Sequence, residues 1–364
     1  MMAMKKDVSC VITHTAAVTP AGTGMAEQIR TLYNGIQHFS LPEHFDSRGT
    51  QLGVIHSLDR TGSRSRALAL LKMLRDAVDF PIPEEGTKLF LATTVGAVDL
   101  LEQGEVCDGT IALLEEAKTL FGIGNATLIA AACASGQTAA AVAMEQLKNH
   151  SCDHALVIGC DAVSEFVTTG FTALGATAGK DVCRPYDTKR CGLTLGEAAC
   201  ALLLTRQDLA ENGIGRIVTV AENCDASHIT APDLEGTTLR RAIAQALDAA
   251  GGSIGGIIGH GTGTLYNDLA EVNALSHVFG NGENVPPLFS LKGNFGHTLG
   301  ATGVLQIALG LEISRRKLLP PQAGLREGMI PSVSKEAQEL TSGRLLSLNV
   351  GFGGLNNALI LEAL

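Results

Sequence analysis

Short apolar runs alternate with longer stretches of helical period along the whole 364-residue chain. Compact runs rich in Val, Ile, Leu and Ala predict strands at 8–13, 88–93, 127–132, 154–160, 198–205 and 216–221, and again at 254–259, 287–291, 345–350 and 357–362. Apolar residues recurring at helical spacing predict helices at 23–34, 64–78, 109–121, 135–148, 237–250, 268–278 and 302–314. Strand and helix in turn predict an α/β layered fold. Each half carries a glycine-containing turn after a buried strand and closes on an apolar strand pair. The polar stretch Gln207–Gly215 is the best break between them, giving halves at 1–206 and 207–364.

Candidate chemistry collects at the ends of these runs. In Ile129-Ala-Ala-Ala-Cys133-Ala-Ser-Gly-Gln-Thr138 an apolar strand delivers a thiol to the start of an Ala-rich helix. A helix N-terminus offers partial positive charge and free N–H groups, so the thiolate is expected to be favoured there and an oxyanion to find donors. The competing reading is one more small buried hydrophobe among nine cysteines, and Cys133 alone does not decide.

Three further segments bear on it. Gly259-His260-Gly-Thr-Gly-Thr264 follows the apolar run 254–258, and Ser290-Leu-Lys292-Gly-Asn294-Phe-Gly-His297 precedes an apolar helix. Asn349-Val-Gly351-Phe352-Gly353-Gly354-Leu-Asn356 lies between the last two strands. A fourth segment, Arg184-Pro-Tyr-Asp187 leading to Leu195-Gly-Glu197-Ala198, sits between the thiol and the first histidine. The glycines around Lys292 do not have the spacing of a phosphate-binding loop.

In these blocks, and in their order from Cys133 almost to the C-terminus, the chain resembles the β-ketoacyl-acyl-carrier-protein synthases, the condensing enzymes of fatty acid and polyketide synthesis. The resemblance implies a thiolase-like fold, two similar α/β halves forming a five-layer αβαβα sandwich. It implies an acyltransferase in which Cys133 takes an acyl group from a carrier thioester and a decarboxylated malonyl thioester then attacks it. His260 and His297 are implied as donors to the enolate and Lys292 as the charge that orients the site. The Cys133 and Phe352 N–H groups would form the oxyanion hole, the Phe352 ring would gate the acyl pocket, and Asn356 would pin the turn. Asp187, Glu197, Asp268 and Glu271 match acidic positions around such sites and are read as structural. No metal or organic cofactor is implied, because phosphopantetheine arrives on the acyl carrier protein.

Composition narrows the partners. The net charge of −10 opposes nucleic-acid binding, and no apolar run reaches the length of a membrane span. Lys5-Lys6 before an apolar run suggests a signal peptide, but Asp7 and His14 interrupt it and a first strand is the better reading. Nine scattered cysteines without a Cys-x-x-Cys pair argue against a zinc site or disulfide framework and for a reducing cytoplasm. An acidic carrier protein needs a local basic patch. Arg60, Arg64, Arg66 and Lys72 are the first candidates for it; Arg184, Lys189 and Arg190 are the second. The resemblance implies a homodimer, or a heterodimer with a second ketosynthase-like chain in the manner of a chain-length factor. Between Val95 and Leu128, and between Asp161 and Cys183, the chain is shorter than the elongating members of that family. Leu355 stands where a small hydroxyl residue is usual. Both features leave acyl length and pocket shape open, and by the resemblance a shortened chain implies a dedicated route such as aryl-polyene or another type II polyketide-like synthesis.

Overall fold

A computed structural model describes residues 10–60 and 62–364, without the side chain of Arg60. Lys5, Lys6 and the first residues of the expected opening strand therefore lie outside the described residues. Ten strands build one hydrogen-bonded sheet path: β1 (Cys10–Thr19), β2 (Thr87–Ala92), β3 (Ala126–Ile129), β4 (His154–Asp161), β5 (Ala198–Arg206), β6 (Gly215–Cys224), β7 (Gly256–Ile258), β8 (Leu288–Phe289), β9 (Leu345–Gly351) and β10 (Leu355–Ala363). Their spatial order is β3-β2-β4-β5-β1 followed by β6-β10-β9-β7-β8. Read outward-in, the second half repeats the first, each strand n answered by strand n+5. The senses repeat too: β2 is parallel to β3 and β4, and β7 to β8 and β9. The pairs β4–β5, β5–β1, β9–β10 and β10–β6 are all antiparallel. One residue pair, Ile12 with Gly215, joins the two halves of the sheet.

Helices fill three layers around the two half-sheets. Alternation along a strand sends successive side chains to opposite faces. Leu89 and Leu91 of β2 pack outward against α1 (Arg66–Ala77) and α2 (Gly109–Phe121). Phe90 and Ala92 pack inward against α3 (Ser135–Lys148) and α6 (Thr302–Arg316). The inner face of the second half, with Ile258, Phe289, Leu359 and Leu361, meets the same two helices from the other side. The outer face of that half, with Leu346, Leu348 and Ile360, packs on α4 (Thr237–Ala250) and α5 (Leu265–Phe279). The result is a five-layer αβαβα sandwich. Its middle helices are largely buried, α6 along most of its length and α3 except around the exposed Glu145 and Lys148, which suits the Ala and Gly of α3 and the almost continuous apolar surface of α6. Both middle helices begin at the same place, and the functional turns converge there. Among the described residues no helix is long and apolar enough to cross a membrane.

Several strands differ from their expected bounds; β6 runs on to Cys224 rather than ending near 221, and β7 is reduced to Gly256–Ile258 from the expected 254–259. β1 runs to Thr19 rather than ending near residue 13, because pairing with β5 carries it through the small residues Ala16 and Ala17. β3 stops at Ile129, and Ala130–Ala132 turn away to present Cys133. β8 is two residues long, the chain entering a short helix at Lys292.

Arg66 corrects the docking expectation. At the start of α1 its guanidinium makes a bidentate pair with the fully buried Glu197, at 2.7 and 2.6 Å, and a third bond to Asp59 at 2.5 Å. Glu197 also accepts the backbone N–H groups of Ile55 and Val163, so this ion pair ties the 53–59 segment to β5 and is not available to a partner. Removing one member of a buried pair strands the other charge. Arg66→Met should therefore cost about 3–5 kcal/mol in chemical denaturation, and Lys72→Ala, on an exposed side chain of the same helix, less than about 0.5 kcal/mol. Equal effects of the two substitutions would contradict this assignment.

Candidate active site

Cys133 sits on a turn held in a conformation that L-residues seldom adopt. Ala132, just before it, has φ +48°. The Ser135 hydroxyl clamps the turn, accepting the Ala131 N–H at 2.8 Å and donating to the Ala132 carbonyl at 2.6 Å. The helix starts two residues after the thiol rather than around it. Burial pushes the Cys133 thiol up to about 12; Lys292 opposes this, Asp161 reinforces it, and the N–H groups of Cys133 and Phe352 oppose it. The expectation that the helix N-terminus favours a resting thiolate is thus reversed: desolvation outweighs it, and the thiol rests protonated.

Phe352 lies on the turn between β9 and β10. Its two following glycines take φ +87° and +82°, and Asn356 closes the turn by donating from Nδ2 to the Gly354 carbonyl at 2.9 Å. A Cβ on Gly351 would meet the Ala131 carbonyl at 3.0 Å and the Ala134 nitrogen at 3.1 Å. The hairpin therefore lies directly on the cysteine turn, and the Phe352 N–H reaches the sulfur. The Phe352 ring stacks on Phe171 at 5.5 Å between centroids.

The two histidines are held alike. Val350 N–H donates to His260 Nδ1 at 3.1 Å, and Leu299 N–H donates to His297 Nδ1 at 3.2 Å. A backbone N–H can only donate, so each Nδ1 is the acceptor and each proton resides on Nε2. The rings stand edge to face, 5.4 Å apart. Burial, and then the charge of Lys292, hold both imidazoles well below their usual value, so they are neutral. Lys292 is fully buried and points Nζ at His260, donating to its carbonyl and lying 3.3 Å from its Nδ1. Burial pulls this ammonium down, and buried Glu271 is the largest influence holding it up.

The remaining carboxylates are braces. Glu271 accepts the His260 and Gly261 N–H groups at 2.7 and 2.8 Å. Asp268 accepts those of Tyr186 and Thr262, each at 2.8 Å, and Asp187 those of Lys189, Arg326 and Glu327. Sequence reasoning did not single out three participants. Asp161 is a fully buried carboxylate at the end of β4 whose only signal is a charge closing an apolar strand. Phe171 and the mouth residue Ile229 carry no signal short of the folded chain.

Cys133, His260, His297 and Phe352 line a single cavity of about 320 Å³, whose walls include the apolar Phe171, Leu174, Leu193 and Ile229. Lys292 stands behind His260. The arrangement offers a nucleophile, two N–H donors beside it and two imidazole N–H donors opposite, in a mostly apolar space. The basic residues are less concentrated. Arg64 is exposed and pairs with Glu105 at 3.2 Å, and Lys72 and Lys189 are exposed. Arg184 is buried against Asp181 and Arg190 donates to the carbonyls of Thr264 and Leu265, so neither presents a free charge. At the surface near α1, Glu43, His56 and Asp59 place ligand atoms within 4.8 Å of one another, with Asp59 already paired to Arg66.

The family description "Beta-ketoacyl synthase, N-terminal domain" matches residues 120–210, and "Beta-ketoacyl synthase, C-terminal domain" matches 214–326; together they span more than half of the chain. The 3-oxoacyl-[acyl-carrier-protein] synthase 2 of Staphylococcus aureus is 32% identical over 247 residues, 64% of this chain and 61% of that protein. The actinorhodin polyketide putative beta-ketoacyl synthase 1 of Streptomyces coelicolor is 30% identical over 256 residues, 66% of this chain and 55% of that protein. The matched stretch thus spans less than two thirds of the length of these relatives. Among solved structures, the ishigamide ketosynthase/chain length factor superposes with a TM-score of 0.87 at 25% identity, covering 99% of this chain and 100% of that one. A ketosynthase in complex with its chain length factor from Xenorhabdus doucetiae gives 0.82 at 26% identity, covering 100% of both.

A thiol held at about 12 has a thiolate fraction that rises with pH across the whole accessible range. Alkylation of Cys133 by iodoacetamide should climb about tenfold per pH unit from roughly pH 7 to 9.5 without a plateau. Lys292→Met should slow it, since Lys292 is the strongest influence favouring the anion. A plateau below about pH 8 would mean that the helix N-terminus, not burial, sets this thiol.

Proposed function

We propose that this chain, which belongs to the β-ketoacyl synthase family, catalyses the decarboxylative Claisen condensation of a Cys133-bound acyl group with a malonyl thioester on an acyl carrier protein. The observation that carries this reading is the pair of imidazoles beside Cys133, each with Nδ1 taken by a backbone N–H and Nε2 left as a neutral donor. General bases would need the opposite arrangement, a lone pair facing the cavity.

In the first half-reaction the Cys133 sulfur adds to the carbonyl of an acyl-carrier thioester. The Cys133 and Phe352 N–H groups hold the oxyanion. Collapse expels the carrier thiolate, which takes the thiol's proton, and leaves an acyl thioester on Cys133. In the second, the malonyl C–C bond breaks and CO2 departs. Its electron pair moves into an enolate whose oxygen accepts the Nε2–H bonds of His260 and His297. Neutral donors suit this step, because an imidazolium would also stabilise the departing carboxylate and so oppose its loss. The enolate carbon then attacks the acyl-Cys133 carbonyl, again over the Cys133 and Phe352 N–H groups. Cys133 leaves as thiolate and takes up one proton, and a 3-oxoacyl carrier thioester is released. Lys292 fixes the His260 carbonyl and supplies positive potential.

Each half of the chain, 1–206 and 207–364, contributes one side of this site: the first the nucleophile, the second the histidines, lysine and hairpin. Phosphopantetheine enters as part of the carrier-bound substrate, its arm passing the apolar mouth at Leu174 and Ile229. The repeated fold and the neighbours described as ketosynthase with chain length factor support a homodimer or a pairing with a ketosynthase-like second chain. All nine cysteines are free, as suits the cytoplasm.

Intact-mass spectrometry after incubation with acyl-carrier proteins of several chain lengths should show the mass of one acyl group on the wild type and none on Cys133→Ala. His260→Ala and His297→Ala should still acylate but release CO2 from malonyl-carrier protein more slowly by roughly 10²–10³-fold each. Acylation that appears only after a second ketosynthase-like chain is added would contradict an independent enzyme and make this chain one member of a pair.

A further inference from the structure

The acidic residue at the end of β4 takes part in no step above, yet it touches both sides of the site. Asp161 is fully buried and accepts four hydrogen bonds. Oδ1 takes the Thr93 hydroxyl at 2.6 Å and the Val95 N–H at 3.3 Å; Oδ2 takes the Thr94 N–H at 2.8 Å and the Gly300 N–H at 2.7 Å. No cation pairs with it among the described residues. A carboxylate supplies acceptors on both oxygens, and this one uses both.

Each arm ends on a strained residue. On one side the Thr94 hydroxyl donates to the carbonyl of Ala132 at 3.0 Å, and Ala132, at φ +48°, is the residue that aims Cys133. On the other side Gly300 follows Leu299, which has φ +50° and whose N–H occupies His297 Nδ1. A non-glycine residue in this region costs about 1–3 kcal/mol and persists only where its surroundings fix it. Gly300 itself is required by the contact: a Cβ there would stand 2.7 Å from Asp161 Oδ2 and 2.8 Å from the Thr94 nitrogen.

We infer that Asp161 is a positioning residue that holds the Cys133 turn and the His297 turn in register, so that the nucleophile and one enolate donor are set by the same buried carboxylate. This rests on the functional reading above. The Asp161 oxygens fix the peptide after Leu299, which fixes the donor to His297 Nδ1 and so the direction of Nε2–H. Through Thr94 they fix the Ala132 carbonyl and so the sulfur beneath the two backbone donors. Shifts of about 1 Å in such groups cost up to about 10²-fold in rate.

The test separates the two arms. In wild type both half-reactions, Cys133 acylation and malonyl-carrier decarboxylation, are followed by mass and CO2 release, with thermal unfolding measured in parallel. Asp161→Asn places an NH2 against N–H donors and should slow both half-reactions by roughly 10–100-fold, in kcat rather than KM. Thr94→Val releases only the Ala132 carbonyl and should slow acylation while sparing decarboxylation. Gly300→Ala presses on the other arm and should slow decarboxylation more than acylation. A positioning role predicts this split, which loss of fold would not produce. Variants whose two half-reactions fall together with the folded fraction, or do not change, would overturn the inference while wild-type activity keeps the functional reading. A wild type that neither acylates nor decarboxylates would overturn both.

Discussion

Two imidazoles have their Nδ1 atoms already spent on backbone N–H groups, and this fixes what the site around them can do. His260 and His297 are 3% and 2% exposed, and neither can turn or charge without abandoning a bond that water is not there to replace. Their neutrality is a property of burial, and their orientation a property of Val350 and Leu299. A buried lysine beside them would be a liability by itself. Here its charge is tempered by burial and balanced by Glu271, which also holds the loop carrying His260. The same desolvation that keeps the histidines neutral keeps Cys133 protonated.

The fold supplies those backbone groups from three places that are remote in sequence. Two half-sheets of identical strand order clamp two largely buried helices, and both helices begin where the strands of their half end. The cysteine turn and the His297 turn therefore face each other by construction. The β9–β10 hairpin reaches in from the second half, its Gly351 against Ala131 and its Phe352 N–H at the sulfur. Because the turns are short and Ala132, Leu299, Gly353 and Gly354 take left-handed backbone conformations, small losses of support translate into misaligned donors rather than into gradual weakening.

Much of this was legible in the chain before folding. Helices 109–121, 135–148 and 237–250 have their expected bounds, because strong apolar period and clear stops such as Gly122 and Gly251 leave little choice. The motif residues Cys133, His260, Lys292, His297 and Phe352 are distinctive as local patterns. What escaped reading is what depends on distant partners. Arg66 looks like any basic residue at a helix start until Glu197, 131 positions away, claims it. Asp161 looks like a solvated strand end until Gly300 arrives on it. The Cys133 thiol was expected to ionise because helix capping is local and visible, whereas its burial is a sum over the whole fold.

His260 and His297 rest as neutral Nε2–H tautomers, a state that nitrogen-15 NMR of histidine-labelled protein reads without perturbing the site. The two resonances, assigned with single His→Ala variants, should show the Nε2–H tautomer and no titration between about pH 5.5 and 8.5, since buried imidazoles depart from the ordinary value near 6.5. A midpoint near pH 6.5 for either ring, or a proton on Nδ1, would contradict this and leave the proposed condensation without its pair of neutral donors.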